Sequence, residues 1–305
     1  MENKYCRMEI ADRVAALLHT NSEEIYDVQT LKKGMTNRSF LFRFRGKRYV
    51  IRIPGEGTEK LIDRKGEYEV YKAIHDLEIA DHVIYEDAEN GYKITEFYEN
   101  ARTCNAFNDE DVQKCMKRLR NFHERKLKVG HSFLLWEQIN FYEDLWMGRK
   151  SQYEDYETVK ARIHTLIRYV EGLEKDWCLC HIDSVPDNFL FVDYGEREQI
   201  RLIDWEYAGM QDPHLDIAMF AIYAGYEKDR IDWLINTYFE GNCPEKIRTK
   251  IYCYVAIGGL LWSNWCEYKK SRGVEFGEYS QIQYQYARDF FKIAAERTDS
   301  LKNGL

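Results

Sequence analysis

Asp183 precedes Asn188 by five residues, and an apolar two-strand pattern separates that pair from Asp204. Carboxylate, carboxamide and carboxylate in that order are the side chains that magnesium-assisted phosphoryl transfer requires. A hydroxyl is a poor nucleophile at neutral pH, and it has to be held in line with the γ-phosphorus and close to a proton acceptor. Asp183 is the candidate base or orienting group, and His181 is placed to brace its loop from behind. Mg²⁺ prefers hard oxygen ligands and keeps several waters, so Asn188, Asp204 and the phosphates of ATP suffice to hold it. Taken singly, each residue has another reading: Asp183 as a turn cap, Asn188 as a strand start, Asp204 as a helix N-cap. Their ordered combination favours the chemistry.

The phosphates and the base need partners too. Lys33 to Arg38 lies in the turn before the second strand, where Gly34, Thr36 and Asn37 could cover phosphates with backbone N–H groups and small side chains. Arg52, one strand later and on the face opposite Ile51 and Ile53, could pair with the α/β-phosphates. Glu67, in the helix that follows, could hold that arginine by a carboxylate–guanidinium bond. Protein kinases use lysine there, and the forked guanidinium implies a different contact geometry. The strand ending Glu96-Phe97-Tyr98 would offer backbone donors and acceptors to an adenine. Blander alternatives stand beside these: a β-turn glycine, a solvated arginine and a plain edge strand.

A third group concerns the acceptor. Trp262 and Trp265, at i and i+3 of a helical stretch, project from one face. Two indoles there can pack as core. They can also line a pocket for a quaternary ammonium, each cation–π contact contributing on the order of 0.5–2 kcal/mol. Glu206 and Tyr207, just past Asp204, could add a carboxylate and another ring.

Length and composition set the frame for these residues. The chain has 305 residues, 45% hydrophobic, 15% aromatic and 31% charged, which suits a folded protein with two lobes. Its net charge of −8 disfavours a nucleic-acid partner and tolerates a cationic substrate. Charges follow Met1 where a secretory signal needs an apolar core, which points to the cytoplasm. The longest uncharged stretch, Ile251 to Cys266, is short of the roughly 20 residues a membrane span needs, so it reads as a buried helix and no membrane partner is expected. Eight cysteines without regular metal-ligand spacing read as free, mostly buried thiols.

Periodicity then supplies the elements. Helical spacing covers 10–19 and 60–77, and a hairpin alternates through Phe40, Phe42 and Phe44 and back through Tyr49, Ile51 and Ile53. A second hairpin turns at Asn90-Gly91 and its second strand runs from Tyr92 to Phe97. This is an α+β lobe over residues 1–97. The rest, 98–305, has candidate helices at 109–126, 155–174, 214–226, 229–240, 245–270 and 278–296. Its β signals are 176–181 and a hairpin of 189–193 with 199–204. A mainly helical second lobe carries the catalytic motifs on one small β patch.

The chain resembles the choline/ethanolamine kinases, and within them the bacterial, Lic-type choline kinases. The resembling segments are Gly34-Met35-Thr36-Asn37, Gly57 to Ile62, Cys180 to Asp183, Asn188-Phe189, and Leu202 to Tyr207. They continue with Asp212-Pro213 and Asp216, Trp262 with Trp265, and Phe276-Gly277-Glu278-Tyr279. The resemblance implies a two-lobed, protein-kinase-like fold of the aminoglycoside phosphotransferase/choline kinase type and transfer of the ATP γ-phosphate to choline. It implies Asp183 as base, Asn188 and Asp204 as Mg²⁺ ligands, and Trp262, Trp265 and Tyr207 as the ammonium pocket. Asp216 matches an aspartate that braces the catalytic loop. Many relatives have Asn after the motif histidine, where this chain has Ile182. Ethanolamine, an aminoglycoside or another small alcohol remains an alternative acceptor, and a pseudokinase is a reading of another class.

Overall fold

The computed structural model describes residues 7–33, 37–55, 58, 61–195 and 197–297. The first elements are α1 (Arg7–Leu18), β1 (Ile25–Lys33), β2 (Asn37–Phe44), β3 (Lys47–Pro54) and α2 (Arg64–Ile74). They are followed by β4 (Val83–Glu86), β5 (Lys93–Glu96), β6 (Ala101–Thr103), α3 (Asp109–His123), α4 (Leu135–Asp144) and α5 (Tyr156–Glu171). Next come β7 (Cys178–Cys180), β8 (Phe189–Asp193), β9 (Glu198–Leu202) and β10 (Gly209–Gln211). Four helices close the order: α6 (His214–Tyr223), α7 (Lys228–Tyr238), α8 (Glu245–Ser271) and α9 (Tyr279–Glu296).

The chain forms two compact units: Met1–Thr103 with Phe189–Tyr207, and Cys104–Asn188 with Ala208–Leu305. A single boundary after residue 97 assigns the β8–β9 hairpin to the second lobe, whereas compactness groups it with the first unit.

In the first unit five antiparallel strands run in the order β1-β2-β3-β5-β4. The β2–β3 turn places Arg45 and Gly46 at φ +49° and +81°, the left-handed pair that matches strand twist in a tight hairpin. Alternation then sorts the faces. Phe40, Phe42, Ile51, Ile53 and Ile94 pack on Ile10, Val14 and Ala15 of α1, while Arg52 and Lys93 project the other way. Asp63 caps α2 by accepting the Gly66 N–H at 3.0 Å, and the helix buries Glu67, Val70, Tyr71 and Ile74. A second sheet, in the order β6-β8-β9, completes the unit. It is tied in where Leu202 N–H donates to Ile79 O at 2.6 Å.

In the second unit α8 is the axis. It is buried continuously from Thr249 to Cys266, a span that takes in the uncharged stretch Ile251 to Cys266. Gly258 lets Met219 and Ile222 of α6 approach one side. Gly259 admits the α9 backbone: a Cβ there would lie 2.5 Å from Gln283 O and 2.9 Å from Ala287 N. Asn108 caps α3 through the Asp111 N–H at 3.0 Å. The short pair β7–β10 sits among these helices and leads into the loop carrying Asp183. No helix among the described residues is long and apolar enough to cross a membrane.

Candidate active site

The catalytic-loop candidates follow β7. Ile182 is fully buried with φ +68°, a left-handed conformation that is costly for a β-branched residue. The adjoining amides hold it there. Asp216, on α6, accepts the His181 N–H at 2.9 Å through Oδ2 and the Ile182 N–H at 2.7 Å through Oδ1. Ser184 Oγ donates to the Asp216 carbonyl at 2.6 Å, and His123 Nε2 lies 2.9 Å from Asp216 Oδ2. The other His123 nitrogen is 2.9 Å from Tyr238 OH. Asp216 therefore does bind the loop from beneath, in keeping with its motif. Asp183 emerges half-buried beyond this brace. Asn188 Nδ2 donates to Asp183 O at 2.8 Å and to Asp183 Oδ2 at 3.2 Å. Its Oδ1 is left without a hydrogen bond among the described residues, a hard oxygen suited to a divalent cation.

An aromatic group adjoins the loop. Trp262 and Trp265 meet edge to face, with ring centroids 6.0 Å apart at 84°, and both are largely covered, 8% and 4% exposed. Trp262 Nε1 donates to Met219 Sδ at 3.1 Å. Trp265 packs on Phe276 at 5.4 Å, and its buried Nε1 has no partner among the described residues. Tyr223, at the end of α6, meets Tyr279 at 6.0 Å and donates its hydroxyl to Asp187 at 3.0 Å. Burial raises the Tyr279 phenol far above its ordinary range, with the neighbouring Cys266 thiol and Asp183 carboxylate adding to the lift. Base and rings share one neighbourhood.

The first unit brings together a second set. Arg52 Nη2 donates to Glu67 Oε2 at 2.5 Å, and Arg52 Nη1 lies 3.3 Å from Asp204 Oδ1 and 3.6 Å from Glu206 Oε2. Asp204 has φ +66°, so the chain turns sharply after β9 to present its carboxylate. Asn37 Nδ2 donates to Glu206 Oε2 at 2.7 Å. Burial would raise the Glu67 carboxyl, but Arg52 and Lys93 overcome it and hold the group at about 2. For Glu206 burial prevails: it rises to about 8, with Asp204 adding to the lift and Arg52 opposing it.

Other anticipated residues take partners within their own unit. Glu206, placed by the sequence near the acceptor, has its carboxylate on Asn37 and Arg52. Tyr207 is buried in the same unit as Asp204. Of the segment ending Glu96-Phe97-Tyr98, Glu96 closes the interior strand β5 with its N–H on His82 O, and Phe97, just past the strand, donates its N–H to Arg48 O. Only the Tyr98 N–H of the three remains without a partner among the described residues. Gly34 and Thr36 lie outside the described residues, as do Gly57, Glu59 and Lys60. Lys93, His123 and Tyr223 carry no role in the sequence pattern, and Phe276 and Tyr279 stand there only as part of a resembling segment. A cation opposite Arg52 and aromatics near Trp265 were visible as residue types, but their placement depends on long-range packing.

A kinase-type phosphotransferase is the class that this loop and fold define. A family model described as Choline/ethanolamine kinase matches residues 28–256, and the chain belongs to that family, whose members are kinases of small alcohols. The protein LicA of Haemophilus influenzae is 29% identical over 281 residues, covering 86% of this chain and 78% of that protein. The crystal structure of choline kinase LicA from Streptococcus pneumoniae superposes with a TM-score of 0.79 at 29% identity, covering 93% of this chain and 98% of that one. A LicA structure in complex with AMP gives a TM-score of 0.81 at 28% identity, over 96% and 100% of the two chains.

Proposed function

We propose that the protein transfers the γ-phosphate of ATP to choline, giving phosphocholine, in a Mg²⁺-dependent reaction. The observation that carries this reading is the Asp183 loop, clamped by Asp216 and Asn188 beside an aromatic group on α6, α8 and α9. Asp183 accepts the choline hydroxyl proton as the oxygen attacks the γ-phosphorus. The new O–P bond forms, the bond to the β-phosphate oxygen breaks, and ADP departs. The oxygen donors of Asn188 and Asp204 would hold Mg²⁺, which would supply positive charge to offset that on the transferring phosphoryl group. Arg52, anchored by Glu67, pairs with the α/β-phosphates. The Tyr98 N–H is the open donor for adenine. Trp262 and Trp265, with Tyr223, Phe276 and Tyr279, offer ring faces and edges to a cation that cannot donate hydrogen bonds.

In this reading residues 1–97 bind the nucleotide and 98–305 supply the base and the choline pocket. The described cysteines are free, which suits a reducing cytoplasm. Coupled ADP release measured with choline, ethanolamine and an aminoglycoside tests the assignment. Choline should lead ethanolamine in kcat/KM by roughly 10–200-fold, the range expected when only methyl burial distinguishes them. A preference for ethanolamine or the aminoglycoside would overturn the choline assignment, and magnesium-independent or absent turnover would overturn the catalytic one.

A further inference from the structure

The pairing of β3 with β5 sets Arg52 directly opposite Lys93. Like charges in that relationship repel, and here Lys93 is buried and Arg52 largely covered, their side chains 4% and 11% exposed. Glu67 reconciles them from α2. Its Oε2 accepts from Arg52 and its Oε1 accepts from Lys93 Nζ at 3.0 Å, so each carboxylate oxygen serves a different cation. Lys93 also donates to Tyr71 OH at 2.6 Å, and Tyr71 donates onward to Asp81 at 2.8 Å. Among the described residues the hydrogen-bond partners of the Lys93 ammonium, Glu67 and Tyr71, both lie on α2, while Glu86 faces it from β4. The Glu67 carboxylate stays ionised between two cations, in keeping with its value of about 2.

We propose that Lys93 is a positioning residue for the nucleotide phosphates: by occupying Glu67 Oε1 it limits Glu67 to one edge of Arg52 and leaves Nη1 turned toward Asp204. This rests on the reading of Arg52 as a phosphate ligand. Without Lys93, both Glu67 oxygens become available to the guanidinium. A bidentate pair then draws Arg52 toward α2 and cancels the charge it offers to phosphate.

Steady-state kinetics in ATP and choline on Lys93→Met, Lys93→Arg, Glu67→Gln and the double variant Lys93→Met/Glu67→Gln test this. Lys93→Met should raise the ATP KM about tenfold and leave the choline KM within about twofold, a split that general loosening of the fold does not produce. Lys93→Arg, which keeps a cation on Glu67, should recover most of the loss. The double variant should be no worse than Glu67→Gln alone, because Lys93 acts through Glu67. Equal rises in both KM values, or additive losses in the double variant, would overturn the proposal. If Lys93→Met fails to give a folded melting transition, Lys93→Gln, which keeps a donor for Tyr71, replaces it with the same two outcomes. Arg52→Ala separates the levels. An unchanged ATP KM there overturns the phosphate reading itself, whereas a raised one beside an unaffected Lys93→Met overturns only the role of Lys93.

Discussion

Asp216 Oδ1 accepts the backbone N–H of Ile182 at 2.7 Å, and so holds in place a left-handed residue that immediately precedes the candidate base. A β-branched residue in that conformation costs of order 1–3 kcal/mol and persists only where its surroundings over-determine it. Asp216→Asn puts an N–H₂ group where one of the two backbone N–H groups needs an acceptor. The expected result is about 2 kcal/mol or more of lost stability in urea unfolding, with a fall in kcat larger than any change in either KM. A variant of normal stability and kcat would show that the loop is held by other contacts.

Asp183→Ala removes the proposed proton acceptor and leaves the first-unit contacts of Arg52 untouched. The turnover number should fall by about 10²–10⁴-fold, while ATP affinity measured by calorimetry stays close to that of the parent protein. Near-normal turnover would displace Asp183 from the mechanism.

Trp265→Ala bears on the acceptor. The choline KM should rise about 2–30-fold, the equivalent of one cation–π contact, with kcat much less affected because the cation is held alike in ground and transition states. An unchanged choline KM, together with a lowered melting temperature, would return the indole to a purely structural role.

Gly259→Ala probes the α8–α9 crossing. The added methyl would lie 2.5 Å from Gln283 O, a backbone atom that cannot swing aside. Overpacking of this kind costs about 1–3 kcal/mol, visible as a lower melting temperature. Gly258→Ala, which meets only the flexible ends of Ile222 and Met219, should cost less.

The buried pair Lys250–Asp212, at 2.6 Å, links α8 to the start of α6. Burial alone would raise Asp212, but the His214 ring and the Lys250 ammonium outweigh it and bring the carboxyl from 3.8 to about 2. A folded value below the unfolded one means that the native state binds fewer protons. The stabilisation, on the order of 2 kcal/mol, is fully present above about pH 4 and fades as pH falls through about 2. Asp212→Asn should flatten the stability–pH curve in that window, as followed by denaturant midpoints. An unaltered acid limb would mean that other carboxylates govern it.

The long helices were legible because their apolar residues keep a 3.6-residue period. The anticipated 245–270 and 278–296 lie within a residue of the observed α8 and α9. Strands β6 and β10 were not, since three residues carry no period and become strands through pairing with β8 and β7. Helix α4 escaped for another reason: its N-cap position, Leu134, has no side-chain acceptor, so the usual start signal is absent. The Arg52–Glu67 contact could be anticipated from a strand followed by a helix. Lys93 could not join it until the β3–β5 register was known, and Tyr223 and Tyr279 meet only through the packing of α6 against the chain leading into α9.

Because β6 takes its partner β8 from far along the chain, the first compact unit cannot be finished in the order in which it is translated. A nascent polypeptide emerging at about 5–20 residues per second must wait several seconds, while residues 104–188 are made, before that hairpin arrives. During the delay β6 exposes an unpaired edge, and a fragment truncated at residue 103 would keep that edge permanently. Such a fragment should aggregate or recruit a chaperone, and co-expression with residues 189–207 should relieve it.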